Sequence, residues 1–250
     1  MIRLIIIVIA ILVFFLLTIP FFGITWIIGR FSPEKQSAAE LAFLRGFCRL
    51  LLFLAGVRLT RIGTEKIPAD QSVVYIINHR SFFDIPLIYA AARRPVGFIS
   101  KKEISRVPFL NWWLVRVHGL YLDRENIKEG LKTILAAIEQ VKSGISVAIF
   151  PEGTRGKEAD ERSILPFHEG SFKVATKSGA MVVPVVISGS SAILEDHFPR
   201  IVSTPVIVEY LDPVDLSALT GEERKFPGRY VRSLMSEAMN RNHEQLASKH

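Results

Sequence analysis

The sequence predicts an α/β fold: a mostly parallel central sheet covered by helices, preceded by an N-terminal membrane-associated helical segment. Three observations predict it. Short apolar runs rich in β-branched residues recur between stretches of helical periodicity. Two polar clusters directly follow such runs, where the chemistry of open parallel sheets collects. A stretch without any charged residue, Leu4 to Gly29, lies near the amino terminus. The 250 residues, 49% hydrophobic and 22% charged, suffice for one sizeable domain with its own core.

The N-terminal run is dominated by Ile, Leu, Val and Phe. As one helix it reaches about 39 Å, longer than the roughly 30 Å hydrocarbon layer of a bilayer. Pro20 and Gly23 divide it. It is therefore expected either to span with a kink or to enter one leaflet and stop. A cleaved signal peptide is the rival reading, and no small-x-small cleavage site follows the run. A second apolar stretch, Leu41 to Val57, carries Arg45 and Arg49 four residues apart, on one helical face. That pattern suits a helix lying in the membrane interface, or else an ordinary surface helix. Arg30, Lys35, Arg45, Arg49, Arg58 and Arg61 follow the first segment, against Arg3 and the amino terminus before it. This bias places the bulk of the chain on the cytoplasmic side of the cytoplasmic membrane. The expected division is residues 1–60 as membrane-anchoring helices and 61–250 as the catalytic domain.

Ser72–Ile77, Val96–Ser100, Ile145–Phe150 and Met181–Ser188 read as strands, with Thr204–Tyr210 as an edge strand. Between them, Ile127, Leu131, Ile134, Leu135, Ile138 and Val141 repeat at helical spacing. Asn126 and Glu129 start that helix as a capping box, and Ser143-Gly144 stops it. A second amphipathic helix is expected from Gly228 to Ala247.

The net charge of +7 favours anionic partners. No basic stripe interleaved with aromatics is present, so nucleic acid is not expected, and the apolar start points to membrane lipids. One cysteine, Cys48, excludes an internal disulfide and a cysteine-rich zinc site, and no metal is expected.

Two motifs carry chemistry. In Asn78-His79-Arg80-Ser81-Phe82-Phe83-Asp84, His79 leaves a strand and Asp84 begins a helix. A carboxylate placed there can fix the imidazole tautomer and leave the other nitrogen as a general base. The same residues also read as a capped helix start with a loop histidine. In Phe150-Pro151-Glu152-Gly153-Thr154-Arg155, a strand ends in a glycine turn carrying an arginine, whose planar donors match phosphate oxygens. A plain turn with an exposed arginine is the blander alternative. No Gly-x-Ser-x-Gly elbow surrounds Ser81, and Cys48 lies far from both motifs along the chain, so neither reads as a covalent nucleophile.

Together and in this order, the two motifs resemble the glycerolipid acyltransferase family, which includes 1-acylglycerol-3-phosphate acyltransferases. The resemblance also draws on Lys101-Lys102-Glu103, Pro108-Phe109, Gly119 to Arg124, and Val182 to Ile187, and covers roughly Gly63 to Gly189. It implies the glycerolphosphate acyltransferase fold, with His79 as general base and Asp84 as its orienting partner. Glu152, Gly153, Thr154 and Arg155, with Arg124 and Lys101, are implied in binding the acceptor's phosphate, and Val183, Pro184 and Val185 in packing the acyl chain or donor. The implied reaction moves a fatty acyl group from acyl-CoA or acyl carrier protein to the free sn-2 hydroxyl of 1-acylglycerol-3-phosphate, forming phosphatidate by direct attack of the hydroxyl on the thioester, with no further cofactor. A different lysolipid acceptor, a hydrolase acting through water, and a non-catalytic membrane module that keeps the fold are the rival functions. Two departures fall near the expected acceptor site: the acidic stretch Gly156 to Leu165, and His168 at a place where the family commonly has lysine.

Overall fold

The computed structural model describes residues 1–156, 158 and 160–248. Two long helices come first, α1 (Ile2–Phe31) and α2 (Pro33–Ala55). Then follow β1 (Arg58–Ile62), β2 (Val74–Ile77), α3 (Asp84–Ala91) and β3 (Val96–Lys101). The middle of the chain forms α4 (Pro108–Arg116), β4 (Leu120–Leu122), α5 (Ile127–Lys142) and β5 (Ser146–Ile149). The remainder forms α6 (Lys173–Ser178), β6 (Val182–Ser188), β7 (Pro205–Tyr210), α7 (Gly221–Lys225) and α8 (Pro227–Ala247).

One seven-stranded sheet runs β1-β7-β6-β2-β5-β3-β4. Every pairing is parallel except β6 with β7. Along β6 the side chains alternate. Val183, Val185 and Ile187 enter the core shared with α1, α2 and α3, while Val182 and Val186 enter the core under α5, α6 and α8. A strand buried on both faces needs the continuous apolar run its sequence shows.

The expected edge strand at Thr204–Tyr210 is not at an edge. β7 lies between β6 and β1, which pairs Arg58 to Ile62 with Pro205 to Glu209. Arg-Leu-Thr-Arg-Ile carries two exposed arginines and so gives little strand signal, although it closes that side of the sheet. β1 also straddles residue 60, so the sheet begins on the amino side of the expected domain boundary.

α1 continues through Pro20 without a break. Its packing on both sides of the proline holds it: Phe14 stacks on Phe47 at 3.7 Å between ring centroids, and Phe21 on Phe43 at 4.1 Å. Buried Glu40 of α2 accepts from Thr25 at 2.8 Å and pairs with Arg116. The opposite side of α1, including Ile5, Ile9, Leu12, Leu16 and Ile19, is exposed. Among the described residues α1 is the helix long and apolar enough to cross a membrane. That face supports membrane association.

α2 is capped by Ser32 and stopped by Gly56 in the left-handed conformation (φ 75°). It is a packed helix of the domain, with Leu41, Leu44, Cys48, Leu51 and Leu52 buried. Arg45 and Arg49 share a face as expected, but they donate to the carbonyls of Ala92 (3.2 Å) and Ala90 (3.0 Å), at the end of α3. Cations there satisfy orphan carbonyls and the negative end of the helix dipole.

Candidate active site

β2 and β5 are parallel neighbours in register, with Val74 opposite Val147 and Ile76 opposite Ile149. Their carboxyl ends are therefore level, and the two motifs that follow them meet. Asn78 fixes the first motif. Its buried carboxamide accepts from Ile187 N (2.8 Å) and donates to Ile187 O (2.9 Å), extending the β2–β6 pairing through a side chain.

His79 Nδ1 lies 2.8 Å from Asp84 Oδ2. The same oxygen accepts from the backbone N–H groups of Arg80 and Ser81, each at 2.8 Å. Asp84 is fully buried, whereas the His79 side chain keeps 19% exposure. Ser81 Oγ accepts from Phe83 N at 3.0 Å. α3 itself has no side-chain cap, so the capped helix start does not form; the Asp84 carboxylate instead reaches back over the turn that holds the histidine. With Nδ1–H donating to Asp84, Nε2 is the free basic nitrogen. The imidazole stacks on Phe150 at 4.0 Å between ring centroids.

The second motif turns at Gly153 (φ 72°), a backbone region that favours glycine. Arg124 crosses from beyond β4 to donate to Gly153 O. Lys101 is exposed at the carboxyl end of β3, opposite Leu122, and makes no ion pair among the described residues. Thr154 is exposed, and Arg155 lies with its guanidinium 3.7 Å from the Phe82 ring centroid. His79, Asp84, Thr154 and Arg155 thus belong to one loop cluster, with Arg124 tied into it.

Two expectations differ from the structure. Glu152, expected among the phosphate-binding residues, is buried, and its two carboxylate oxygens accept from His79 N (2.8 Å) and Leu165 N (3.0 Å). A carboxylate so held braces the histidine loop and offers nothing to an anion. Burial raises its pKa to about 7 against the pull of those two amides. Val183, Pro184 and Val185, expected to pack an acyl chain or donor, are buried inside β6. Their side chains pack within the protein because β6 is covered on both faces.

Sequence reasoning missed Glu195. Its carboxylate accepts from Ser81 Oγ (2.7 Å) and Phe82 N (2.8 Å) and lies 3.4 Å from Arg155 Nη1. Ser81 is therefore tied to a carboxylate rather than poised beside His79 as a nucleophile. No local pattern around Leu194-Glu195-Asp196 signals this, because all three contacts come from distant segments. In the acidic stretch Gly156 to Leu165, of which residues 157 and 159 lie outside the described residues, two glutamates are anchored. Glu158 pairs with buried Arg80 at 3.3 Å, and Glu161 accepts from Gly189 N at 3.0 Å. Burial raises the Glu161 pKa. His168 is exposed, and its backbone N–H donates to Pro151 O at 3.0 Å.

A protein-family model described as acyltransferase matches residues 58–188. The chain is 29% identical over 190 residues to a 1-acyl-sn-glycerol-3-phosphate acyltransferase of Saccharomyces cerevisiae, covering 76% of this chain and 62% of that protein's length. It is 32% identical over 177 residues to one of Salmonella typhimurium, covering 68% of this chain and 69% of that protein. The crystal structure of the 1-acyl-sn-glycerophosphate (LPA) acyltransferase PlsC from Thermotoga maritima superposes with a TM-score of 0.75 at 25% identity, covering 96% of this chain and 98% of that one.

Proposed function

The chain belongs to the acyltransferase family, and from that premise we propose that it transfers a fatty acyl group from a thioester donor to the free sn-2 hydroxyl of 1-acylglycerol-3-phosphate, forming phosphatidate. The observation that carries this reading is the meeting of a His79–Asp84 pair with Arg155 in one loop cluster at the carboxyl ends of β2 and β5. The names borne by the yeast, Salmonella and Thermotoga relatives favour lysophosphatidate over other lysolipids.

In this mechanism Arg155 holds the acceptor's phosphate, with Thr154, Arg124 and Lys101 contributing donors. His79 Nε2 takes the proton from the acceptor hydroxyl as its oxygen attacks the thioester carbonyl. The tetrahedral intermediate collapses, the carbon–sulfur bond breaks, and the thiolate takes the proton back from the imidazolium. Asp84 stabilises that imidazolium from its buried position. Glu152 keeps the histidine backbone in place. The donor is acyl-CoA or acyl carrier protein, and the chemistry requires no further cofactor. The helices before residue 60 anchor the enzyme, and the cation excess after α1 favours catalysis on the cytoplasmic side of the cytoplasmic membrane.

The test is an assay of the purified full chain crossing acyl-CoA and acyl carrier protein donors with a panel of lysolipids, read by mass spectrometry. Phosphatidate formed from lysophosphatidate in preference to every other acceptor is expected. Preference for another lysolipid would move the substrate, and fatty acid release without any acceptor would replace transfer by hydrolysis.

A further inference from the structure

Away from His79, at the amino ends of the parallel strands, a cavity of about 570 Å³ opens between α2, the end of α3 and the loop after β1. Five arginines line it: Arg45 and Arg49 of α2, Arg61 of β1, and Arg93 and Arg94 beyond α3. No aspartate or glutamate among the described residues lines it; Glu65 and Asp70, in the adjoining loop, are outside the lining. Backbone carbonyls take a minority of the guanidinium donors. Arg45 and Arg49 each make one such bond, and Arg94 bonds to Ala69 O and Gln71 O through one nitrogen. Arg61 and Arg93 are exposed and leave their guanidinium donors to the cavity. Five like charges around one partly enclosed space build a strongly positive potential, and converging guanidinium forks suit phosphate oxygens.

We propose that this cavity binds the phosphate of an anionic lipid headgroup, at a site separate from the catalytic loops. Its neighbourhood argues for a lipid. On α2, Phe53 (78% exposed) follows Arg49 by four positions, so an apolar side chain borders that arginine on the same helical face. α1, with its exposed apolar face, packs directly on α2 and brings that helix pair to the bilayer. The site does not depend on the catalytic reading.

The experiment uses the full chain in a neutral detergent, with lipid adducts counted by native mass spectrometry. The probes are phosphatidate, phosphatidylcholine and glycerol 3-phosphate. An Arg155→Ala background suppresses binding at the catalytic loops. In that background phosphatidate binding persists, weakens with added salt, and exceeds that of phosphatidylcholine. Adding Arg61→Gln, Arg93→Gln and Arg94→Gln weakens it about tenfold or more, because charge-assisted phosphate contacts are lost. The exposed Arg61→Gln change alone gives a smaller loss and serves if the triple variant is poorly folded. With Arg155 intact, the triple variant keeps wild-type turnover on a short-chain soluble acceptor. Unchanged phosphatidate affinity in both glutamine variants overturns the site. Glycerol 3-phosphate binding as tightly as phosphatidate overturns the assignment to a lipid.

Discussion

Asp84 meets His79 at 2.8 Å through an oxygen that also accepts two backbone N–H groups at the same distance. The carboxylate, carried by the first residue of α3, is thus fixed by the loop that precedes the helix, and the imidazole is oriented against a rigid acceptor. Replacing Asp84 with asparagine keeps the shape but removes the charge and the tautomer control. Turnover is expected to fall roughly 10²–10⁴-fold with little change in acceptor KM. Steady-state kinetics on Asp84→Asn checks this, and a variant defective only in KM contradicts it.

Arg155 is assigned to the phosphate end of the acceptor. Arg155→Ala should raise the acceptor KM by roughly tenfold or more, with a smaller effect on kcat, because a charge-assisted contact is lost in ground and transition states alike. Titration of lysophosphatidate at saturating donor reads this out. Wild-type KM in Arg155→Ala would remove the arginine from the site.

Glu195 opposes that binding by lying 3.4 Å from the same guanidinium while bonding Ser81 and Phe82. Glu195→Gln should lower the acceptor KM a few-fold, since the phosphate no longer competes with a fixed carboxylate. Glu195→Ala also loses both hydrogen bonds and should cost about 1–3 kcal/mol of stability. The pair of variants separates charge from structure: kinetics moves in the first and thermal stability in the second.

Glu152 makes stability depend on pH. Its ordinary pKa of 4.5 is raised to about 7 by burial. Between those values the unfolded chain ionises while the folded chain stays protonated, so this group's contribution falls as pH rises through the window. Glu152→Gln should remove a pH-dependent loss of stability of about 3 kcal/mol between pH values near 4.5 and 7.5. Denaturant melts of both proteins at the two pH values measure the difference. Parallel slopes would mean that the carboxyl titrates normally.

Much of this was legible in the sequence because the decisive features are local. Runs such as Val147 to Ile149 are continuous and apolar because they are buried, and Asn126 caps α5 through the amides of Lys128 and Glu129. The His79–Asp84 contact spans five positions across a turn. Features that depend on distant partners were not legible. β1 has two exposed arginines, and β4 is three half-buried residues, so neither carries a strand pattern of its own. Arg45 and Arg49 share a face, as their spacing requires, but nothing near them says that this face meets the end of α3. Val183 to Val185 reads as an apolar block either way, and only the layers above and below β6 make it core. Glu195 gains its place solely from the folded chain.

The most direct test is mass-spectrometric product analysis of wild-type and His79→Ala protein, each folded and supplied with an acyl thioester and lysophosphatidate. Phosphatidate is expected from the wild type, with a loss of roughly 10²–10⁴-fold in the variant and the melting temperature preserved. Phosphatidate formation by His79→Ala at the wild-type rate would contradict it.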